Sequence, residues 1–143
     1  MKVAAVVIML LAIAIAAVPQ FTDCQSDGRQ ITTADGRQIP MKCHWTARAE
    51  LGLGLPILAV GALMVGSRRK ESYRTLGLMG VALAAVVIAL PTNLIGVCMS
   101  PDMVCVSTMK PTLLLMGALL AGVSLAVVAF SFRGEPDLAV TNG

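Results

Sequence analysis

The sequence predicts an all-α membrane protein with four transmembrane helices, arranged as two parallel helix-pair repeats with disulfide-stapled outer loops. Composition is the first reason, because 57% of the 143 residues are hydrophobic and only 13% are charged. A soluble domain of this length cannot bury so much apolar surface in one core, so that surface must face lipid. Basic residues are scattered rather than clustered with aromatic ones, which is not the profile of a nucleic-acid-binding protein.

An internal repeat is the second reason. The pattern Met-x-Cys-x-x-Thr-x-basic-x-x-Leu-x-Leu occupies residues 41–53 and recurs at residues 103–115. Each copy has an upstream cysteine, and each of those cysteines follows an apolar run that ends at a proline, Pro19 or Pro91. The repeat unit is therefore helix, proline, cysteine-bearing loop, Met-x-Cys cap and helix. It predicts two halves related by a pseudo-twofold axis along the membrane normal.

The apolar runs set the predicted boundaries of a single membrane domain at residues 1–133. The spans are residues 3–18, 51–66, 76–96 and 112–131, the outer loops are 19–50 and 97–111, the inner turn is 67–75, and a polar cytoplasmic tail is 134–143. Because a spanning helix needs about 20 residues, we expect these helices to extend into their flanks. The first run also resembles a secretory signal peptide. Cleavage would remove the first helix of the repeat, so we assign this run as a transmembrane helix.

The first outer loop contains a hairpin signal. Two similar stretches, residues 27–31 and 35–39, each begin with Asp-Gly. Asp-Gly between residues that favour β structure predicts a small ribbon formed by residues 30–33 and 37–40. The alternative is an ordinary solvated loop.

Charge density assigns the two sides of the membrane. Four basic residues, Arg68, Arg69, Lys70 and Arg74, crowd the inner turn with only one acidic residue among them. The positive-inside rule therefore predicts that this turn and both termini lie in the cytoplasm, beneath the cell (plasma) membrane. All four cysteines then fall in the outer loops, as expected of thiols that meet an oxidising compartment.

Two disulfides are predicted among Cys24, Cys43, Cys98 and Cys105. Four cysteines allow three connectivities, and the sequence alone does not choose among them. The repeat favours Cys24 with Cys43 and Cys98 with Cys105, because each bridge then closes one loop onto the start of its following helix. Such bridges typically stabilise a fold by about 2–4 kcal/mol each.

Small residues predict close packing between helices. Gly77, Gly80 and Ala84 share one face of the third span, and Gly117 with Ala121 gives small-xxx-small spacing on the fourth. None of the predicted spans contains Asp, Glu, Lys, Arg or His, which argues against an ion transporter. We expect one small-residue face to pack inside the bundle and another, such as that of Gly77, Gly80 and Ala84, to contact a neighbouring subunit.

Soft metal ligands gather in the two outer loops. They are Met41, Cys43, His44, Cys98, Met99, Met103, Cys105 and Met109. Thioether, thiolate and imidazole groups together suit Cu(I) better than hard cations, so copper handling is one alternative function. A membrane thiol redox protein is another, although the Cys-x-x-Cys spacing of thiol oxidoreductases is absent. The simplest interpretation predicts no cofactor, only structural disulfides with methionines packed around them.

The remaining repeated positions predict helix N-caps. Thr46 and Thr108 precede the apolar runs, which places Arg48 and Lys110 in the first helical turn. A cation there opposes the helix dipole and needs an anionic partner. Lipid phosphate is the simplest partner, Glu50 is available in the first copy, and an anionic ligand gathered by the two helix N-termini is the alternative.

Two stretches carry a resemblance to a known family. The first is Met-Lys-Cys-His-Trp-Thr-x-Arg-x-Glu at residues 41–50, and the second is the loop with Cys98 and a Met-x-Cys before the last helix. Over residues 3–130, apart from the long loop before Met41, the chain resembles a family of small bacterial four-helix membrane proteins of unknown function. The resemblance implies an accessory role beside ABC-type permeases in the bacterial inner membrane. We therefore predict a non-enzymatic membrane subunit or assembly partner, in contact with the lipid bilayer and other membrane subunits.

Overall fold

Four long helices make up most of the protein. The computed structural model describes residues 2–23, 28, 31–98, 100 and 102–133. The helices are α1 (Lys2–Thr22), α2 (Lys42–Gly66), α3 (Lys70–Ala89) and α4 (Lys110–Arg133). Counted with the short turns that continue α3 and precede α4, each is long and apolar enough to cross a membrane. The prediction of an all-α protein with four helices that could cross a membrane is confirmed.

Two π-helical turns adjoin these helices. The first, Leu90–Leu94, continues α3, and the second, Cys105–Met109, leads into α4. A π turn closes its hydrogen bonds over one more residue than an α turn, and such turns are frequent at functional sites. Both lie at the end of the bundle where α2 begins. We call it the cysteine end, because Cys43 and Cys98 meet there.

The helices extend beyond the predicted spans, and α2 differs most. It begins at Lys42, well before residue 51, and α1 continues to Thr22 rather than stopping at residue 18. The predicted spans followed uninterrupted apolar runs, but helix formation does not require apolar side chains. Residues 42–50 include Lys, Arg, Ala and Glu, which are strong helix formers. The predicted tail, residues 134–143, lies outside the described residues.

Close approaches at glycines join the helices in pairs. Helix α1 packs along α2, where a Cβ added to Gly54 would lie 2.7 Å from the Cβ of Ala16. Helix α3 packs along α4, where a Cβ on Gly80 would collide with the Ser124 hydroxyl. Backbones can come this close only where one side chain is missing. Each sequence half thus folds as one antiparallel helix pair.

The small residues singled out in the sequence lie inside the second helix pair. Gly77, Gly80, Ala84 and Gly117 are buried, and Ala121 is half-buried against the core. A Cβ on Gly117 would lie 2.6 Å from Ile88, and one on Gly77 would lie 2.7 Å from Val128. The expectation that the Gly77, Gly80 and Ala84 face contacts another subunit is therefore wrong, because α4 already covers it.

The predicted hairpin is confirmed over the described residues. Strands β1 (Ile31–Thr32) and β2 (Gln38–Ile39) pair antiparallel, with Ile31 opposite Ile39. Gly36 adopts φ 75°, in the left-handed region that favours glycine, and its N–H donates to the Thr33 carbonyl at 2.9 Å. The ribbon is exposed and lies beyond the cysteine end, between α1 and α2.

The basic turn joins α2 to α3 at the opposite end. The Tyr73 hydroxyl donates to the Ser67 carbonyl at 2.8 Å, which fixes the turn between the two helices. The Arg74 guanidinium stacks 3.9 Å above the centre of the Phe132 ring on α4. These contacts tie the turn to the helices on both sides.

Candidate functional site: a sulfur cluster

The candidate site begins on the buried face of α2. Cys43, Thr46, Ala47 and Glu50 are each no more than 1% exposed. Their spacing of three and four residues places them along one side of the helix. Met41 is half-buried and precedes the helix in an extended conformation. The face therefore starts with two sulfur-bearing residues and reaches Glu50 two turns further into the bundle.

A hydrogen bond from Thr46 fixes the position of the segment that contains Cys98. The Thr46 hydroxyl donates to the Gly96 carbonyl at 2.9 Å. Gly96 has φ 77°, which only glycine adopts readily, and its N–H donates to the Leu90 carbonyl of the first π turn at 3.0 Å. These two bonds place the chain after α3 over the start of α2. Cys98 comes two residues after Gly96.

Cys98 lies at the centre of a group of sulfur atoms. Its Sγ is 3.8 Å from Sγ of Cys43 and 3.9 Å from Sδ of Met41. The second π turn contributes Cys105, which is fully buried. The sulfur atoms of the three cysteines all lie within 4.8 Å of one another. We call Met41, Cys43, Cys98 and Cys105 the sulfur cluster.

The predicted disulfide of the second loop is not formed. Cys98 and Cys105 are thiols in the structure, although a bridge between them was expected. The link from Thr46 to Gly96 directs Cys98 towards α2, so its nearest sulfur contacts include Cys43 and Met41. Cys43 itself is disulfide-bonded. Cys24, the partner that the repeat favours for it, lies outside the described residues.

The structure describes all but one of the other predicted ligands. Met103 is half-buried and Met109 fully buried, and both pack against the apolar core. His44 Nδ1 is hydrogen-bonded to Oδ2 of Asp23 at 3.1 Å, and His44 is not part of the three-cysteine group. Met99 lies outside the described residues. The structure thus brings together the sulfur atoms of four predicted ligands, Met41, Cys43, Cys98 and Cys105.

The predicted N-cap roles of the two threonines are wrong. Met41 is the N-cap residue of α2, so Thr46 lies inside the helix. Thr108 is exposed within the second π turn, where its carbonyl accepts from the Thr112 hydroxyl at 2.7 Å. Both helical segments begin earlier than the apolar runs, so both threonines lie within helical turns rather than in front of them. The Arg48 side chain is exposed and that of Lys110 is half-buried, and their binding of lipid phosphate stays a prediction.

Glu50 is the residue whose burial the sequence interpretation missed. It was placed just outside the span predicted at 51–66, yet α2 includes it and its side chain is fully buried. Neither carboxyl oxygen has a hydrogen-bond partner among the described residues. An ionisable group inside a membrane segment is costly and commonly functional. The signal was its seven-residue spacing from Cys43, which puts both on one helix face.

A bundle of four helices of membrane-spanning length, with a sulfur cluster at one end, defines the class of this protein. The chain belongs to the family described as a domain of unknown function, DUF4418, whose family model matches residues 2–130. No curated protein and no solved structure matches it.

Proposed function

We propose that this protein is a membrane thiol–disulfide exchange protein, in which the pair Cys24 and Cys43 and the pair Cys98 and Cys105 pass a disulfide between them. The observation that carries the proposal is the 3.8 Å separation between Sγ of Cys43 and Sγ of Cys98. Cys43 is disulfide-bonded whereas Cys98 and Cys105 are thiols. A disulfide sulfur thus lies in contact with a thiol, as the first step of exchange requires.

Bonds, protons and electrons balance in this exchange within the chain. The Cys98 thiolate attacks Sγ of Cys43, which breaks the disulfide proposed between Cys43 and Cys24, forms a Cys43–Cys98 bond and releases Cys24 as a thiolate that takes up a proton. The Cys105 thiolate then attacks Cys98 and releases Cys43. Two electrons pass from the Cys98 and Cys105 pair, which is oxidised, to the Cys24 and Cys43 pair, which is reduced.

Repeated turnover would need two external partners of defined chemistry. A disulfide-bearing molecule would reoxidise Cys24 and Cys43, and a dithiol would reduce the new Cys98–Cys105 bond. Both reactions belong in an oxidising compartment, so we take the cysteine end to face outside and the basic turn to face the cytoplasm. This is the orientation that the positive-inside rule predicts.

The two-repeat arrangement is part of the proposal, and burial supports it. The buried positions of α1 are Ala5, Ile8, Ala12, Ile15 and Pro19, and residues at the same spacing are buried in the second half, namely Gly77, Gly80, Ala84, Val87 and Pro91. Cys43 and Cys105, which are equivalent in the two copies, are both fully buried and both belong to the cluster. A pseudo-twofold axis would bring equivalent residues together in this way.

The subunit or assembly role predicted from the sequence is a second candidate. One observation favours it, an apolar groove of about 400 Å³ between α1 and α2 whose lining includes Ala16, Leu51 and Leu55. A helix of another membrane protein, such as a permease, could pack there. The glycine face that first suggested a partner is covered by α4, so we rank this role below exchange.

A trapping experiment tests the exchange. The purified chain is equilibrated in thiol–disulfide buffers, quenched with acid and alkylated, and its cysteine states are mapped by mass spectrometry. We expect Cys105→Ser to accumulate a Cys43–Cys98 disulfide, because the second attack is lost while the first remains. Cys98→Ser should give no bond between the two pairs.

Ser107→Ala is the matched control, since Ser107 is an exposed hydroxyl in the same π turn. It should behave like the parent chain. If Cys105→Ser never forms the Cys43–Cys98 bond at any buffer potential, while the parent chain keeps Cys98 and Cys105 as thiols, the exchange proposal is wrong.

A further inference from the structure

We infer that the sulfur cluster binds Cu(I) once both cysteine pairs are reduced, so that the redox state of the cysteines controls a metal site. The inference rests on the proposed exchange, because exchange releases Cys43 as a thiolate and an external dithiol then reduces the Cys98–Cys105 bond. The fully reduced cluster offers three thiolates, from Cys43, Cys98 and Cys105, and the thioether of Met41. These are the soft ligands that select Cu(I).

The separations between the sulfur atoms suit a single small ion. With a metal–sulfur bond of about 2.3 Å, neighbouring sulfurs in a trigonal site lie about 4 Å apart. Sγ of Cys43 and Sγ of Cys98 are 3.8 Å apart, and all three cysteine sulfurs lie within 4.8 Å of one another. Closing the widest separation would take a movement of about 1 Å or less. Sδ of Met41, 3.9 Å from Sγ of Cys98, is in range to act as a fourth ligand.

The surroundings favour Cu(I) over zinc. Zinc sites in proteins use Cys, His and carboxylate ligands, and the adjacent histidine and carboxylate, His44 and Asp23, are hydrogen-bonded to each other rather than part of the cluster. A methionine stands in their place. Cys43 and Cys105 are fully buried, which disfavours Ca²⁺ and Mg²⁺, because these ions take oxygen ligands and keep water.

Oxidation of the cysteines prevents the site from binding the metal ion. A disulfide sulfur is no longer a thiolate, so the bond that removes Cys43 also removes one of three anionic ligands. When exchange moves the disulfide to Cys98 and Cys105, Cys43 becomes a thiolate but two other ligands are lost together. Only the cluster with both pairs reduced holds the ion, and an external disulfide that takes two electrons from either pair releases it.

A Cu(I) titration tests the inference. The full chain in detergent is reduced with a phosphine, desalted under anaerobic conditions and titrated with Cu(I) against a chromogenic Cu(I) chelator. We expect one Cu(I) per chain, X-ray absorption that reports only sulfur ligands, and weaker binding at lower pH because the thiols must lose protons. The oxidised chain should bind about 10- to 100-fold more weakly or not at all, a loss like that from removing a ligand-supporting group.

Cu(I) binding by substituted chains distinguishes the ligand residues from neighbouring residues. Met41→Leu and Cys98→Ser should each weaken binding by about 10- to 100-fold. His44→Ala alters a neighbouring residue that is hydrogen-bonded to Asp23 and lies outside the three-cysteine group, so it should bind like the parent. Far-ultraviolet circular dichroism checks that every variant keeps its helices.

Three results would overturn the metal site: no Cu(I) binding by a chain whose four thiols have been counted, equal binding by the oxidised and reduced chains, or nitrogen ligands in the absorption spectrum. The exchange is scored separately by the Cys43–Cys98 bond in Cys105→Ser. A trapped bond without Cu(I) binding rejects the metal site alone, and Cu(I) binding without a trapped bond rejects the exchange alone.

Discussion

Glu50 occupies a core position that the second half of the chain fills with a leucine. Glu50 and Leu113 are both fully buried, and each precedes a buried glycine, Gly54 or Gly117, by four residues. Leu113 contributes apolar packing, whereas the Glu50 carboxyl has no hydrogen-bond partner among the described residues. A buried polar group left without a partner costs about 1–3 kcal/mol. The carboxyl therefore lowers the stability of the helix bundle.

We expect Glu50→Leu to raise the thermal midpoint of the bundle in detergent, because it removes that cost of about 1–3 kcal/mol. Circular dichroism at increasing temperature gives the midpoint. Glu50→Gln is the matched control, since it keeps the shape and the unpaired polar atoms and should raise the midpoint less. A midpoint below that of the parent for Glu50→Leu would mean that the carboxyl has a stabilising partner after all.

The Met-x-Cys pattern could predict three of the four residues of the sulfur cluster. The repeat marked Met41, Cys43 and Cys105, because identical residue types recurred at identical spacing. It could not predict that Cys98 contacts Cys43, since that contact depends on a hydrogen bond between Thr46 and a residue 50 positions away. Long-range contacts of this kind leave no local periodicity in the sequence.

At the level of elements, the second π turn changes which of two equivalent repeat positions is buried. Leu51 and Leu113 are equivalent in the repeat, yet Leu51 is 40% exposed whereas Leu113 is fully buried. The extra residue in the turn shifts every later position of α4 around the helix axis. Thr46 and Thr108 consequently differ in the same way, with one buried and bonded across the bundle and the other exposed.

This difference yields a matched pair of substitutions. Thr46→Val removes the hydrogen bond to Gly96 while preserving side-chain shape, so the segment that carries Cys98 should open more often. A hydrogen bond is worth about 0.5–1.5 kcal/mol, which corresponds to roughly two- to tenfold faster alkylation of Cys98. The rate is measured by mass spectrometry after timed maleimide treatment of the native chain.

Thr108→Val is the control, because Thr108 has the same repeat position but an exposed side chain. It should leave the alkylation rate of Cys98 unchanged. Equal rates for Thr46→Val and the parent would mean that other contacts, and not the bond to Gly96, hold Cys98 beside Cys43.

On the scale of the whole molecule, the long apolar runs predict the number of helices but not where the helices end. Long apolar runs report which residues can face lipid, and all four runs became helices. The start of α2 at Lys42 and the two π turns depend instead on helix propensity and on contacts between loops. The cluster is built from these helix ends, which is why the sequence located its residues but not its geometry.

The orientation of the bundle in the membrane is the remaining whole-molecule expectation. Asp35 lies in the exposed ribbon beyond the cysteine end, and Arg69 lies in the basic turn at the other end. Short epitope tags inserted after Asp35 and after Arg69 should be accessible on opposite sides of the membrane. In intact cells stripped of any outer layer, we expect an antibody to reach the tag after Asp35 and not the tag after Arg69.

Permeabilised cells provide the control, because both tags must then be detected. The physical reason for the expected orientation is the density of positive charge in the short turn, which resists translocation. The opposite labelling pattern would place the sulfur cluster in the reducing cytosol. Disulfides there are rare and mainly catalytic or redox-sensing, so the external partners of the exchange would have to be sought inside the cell.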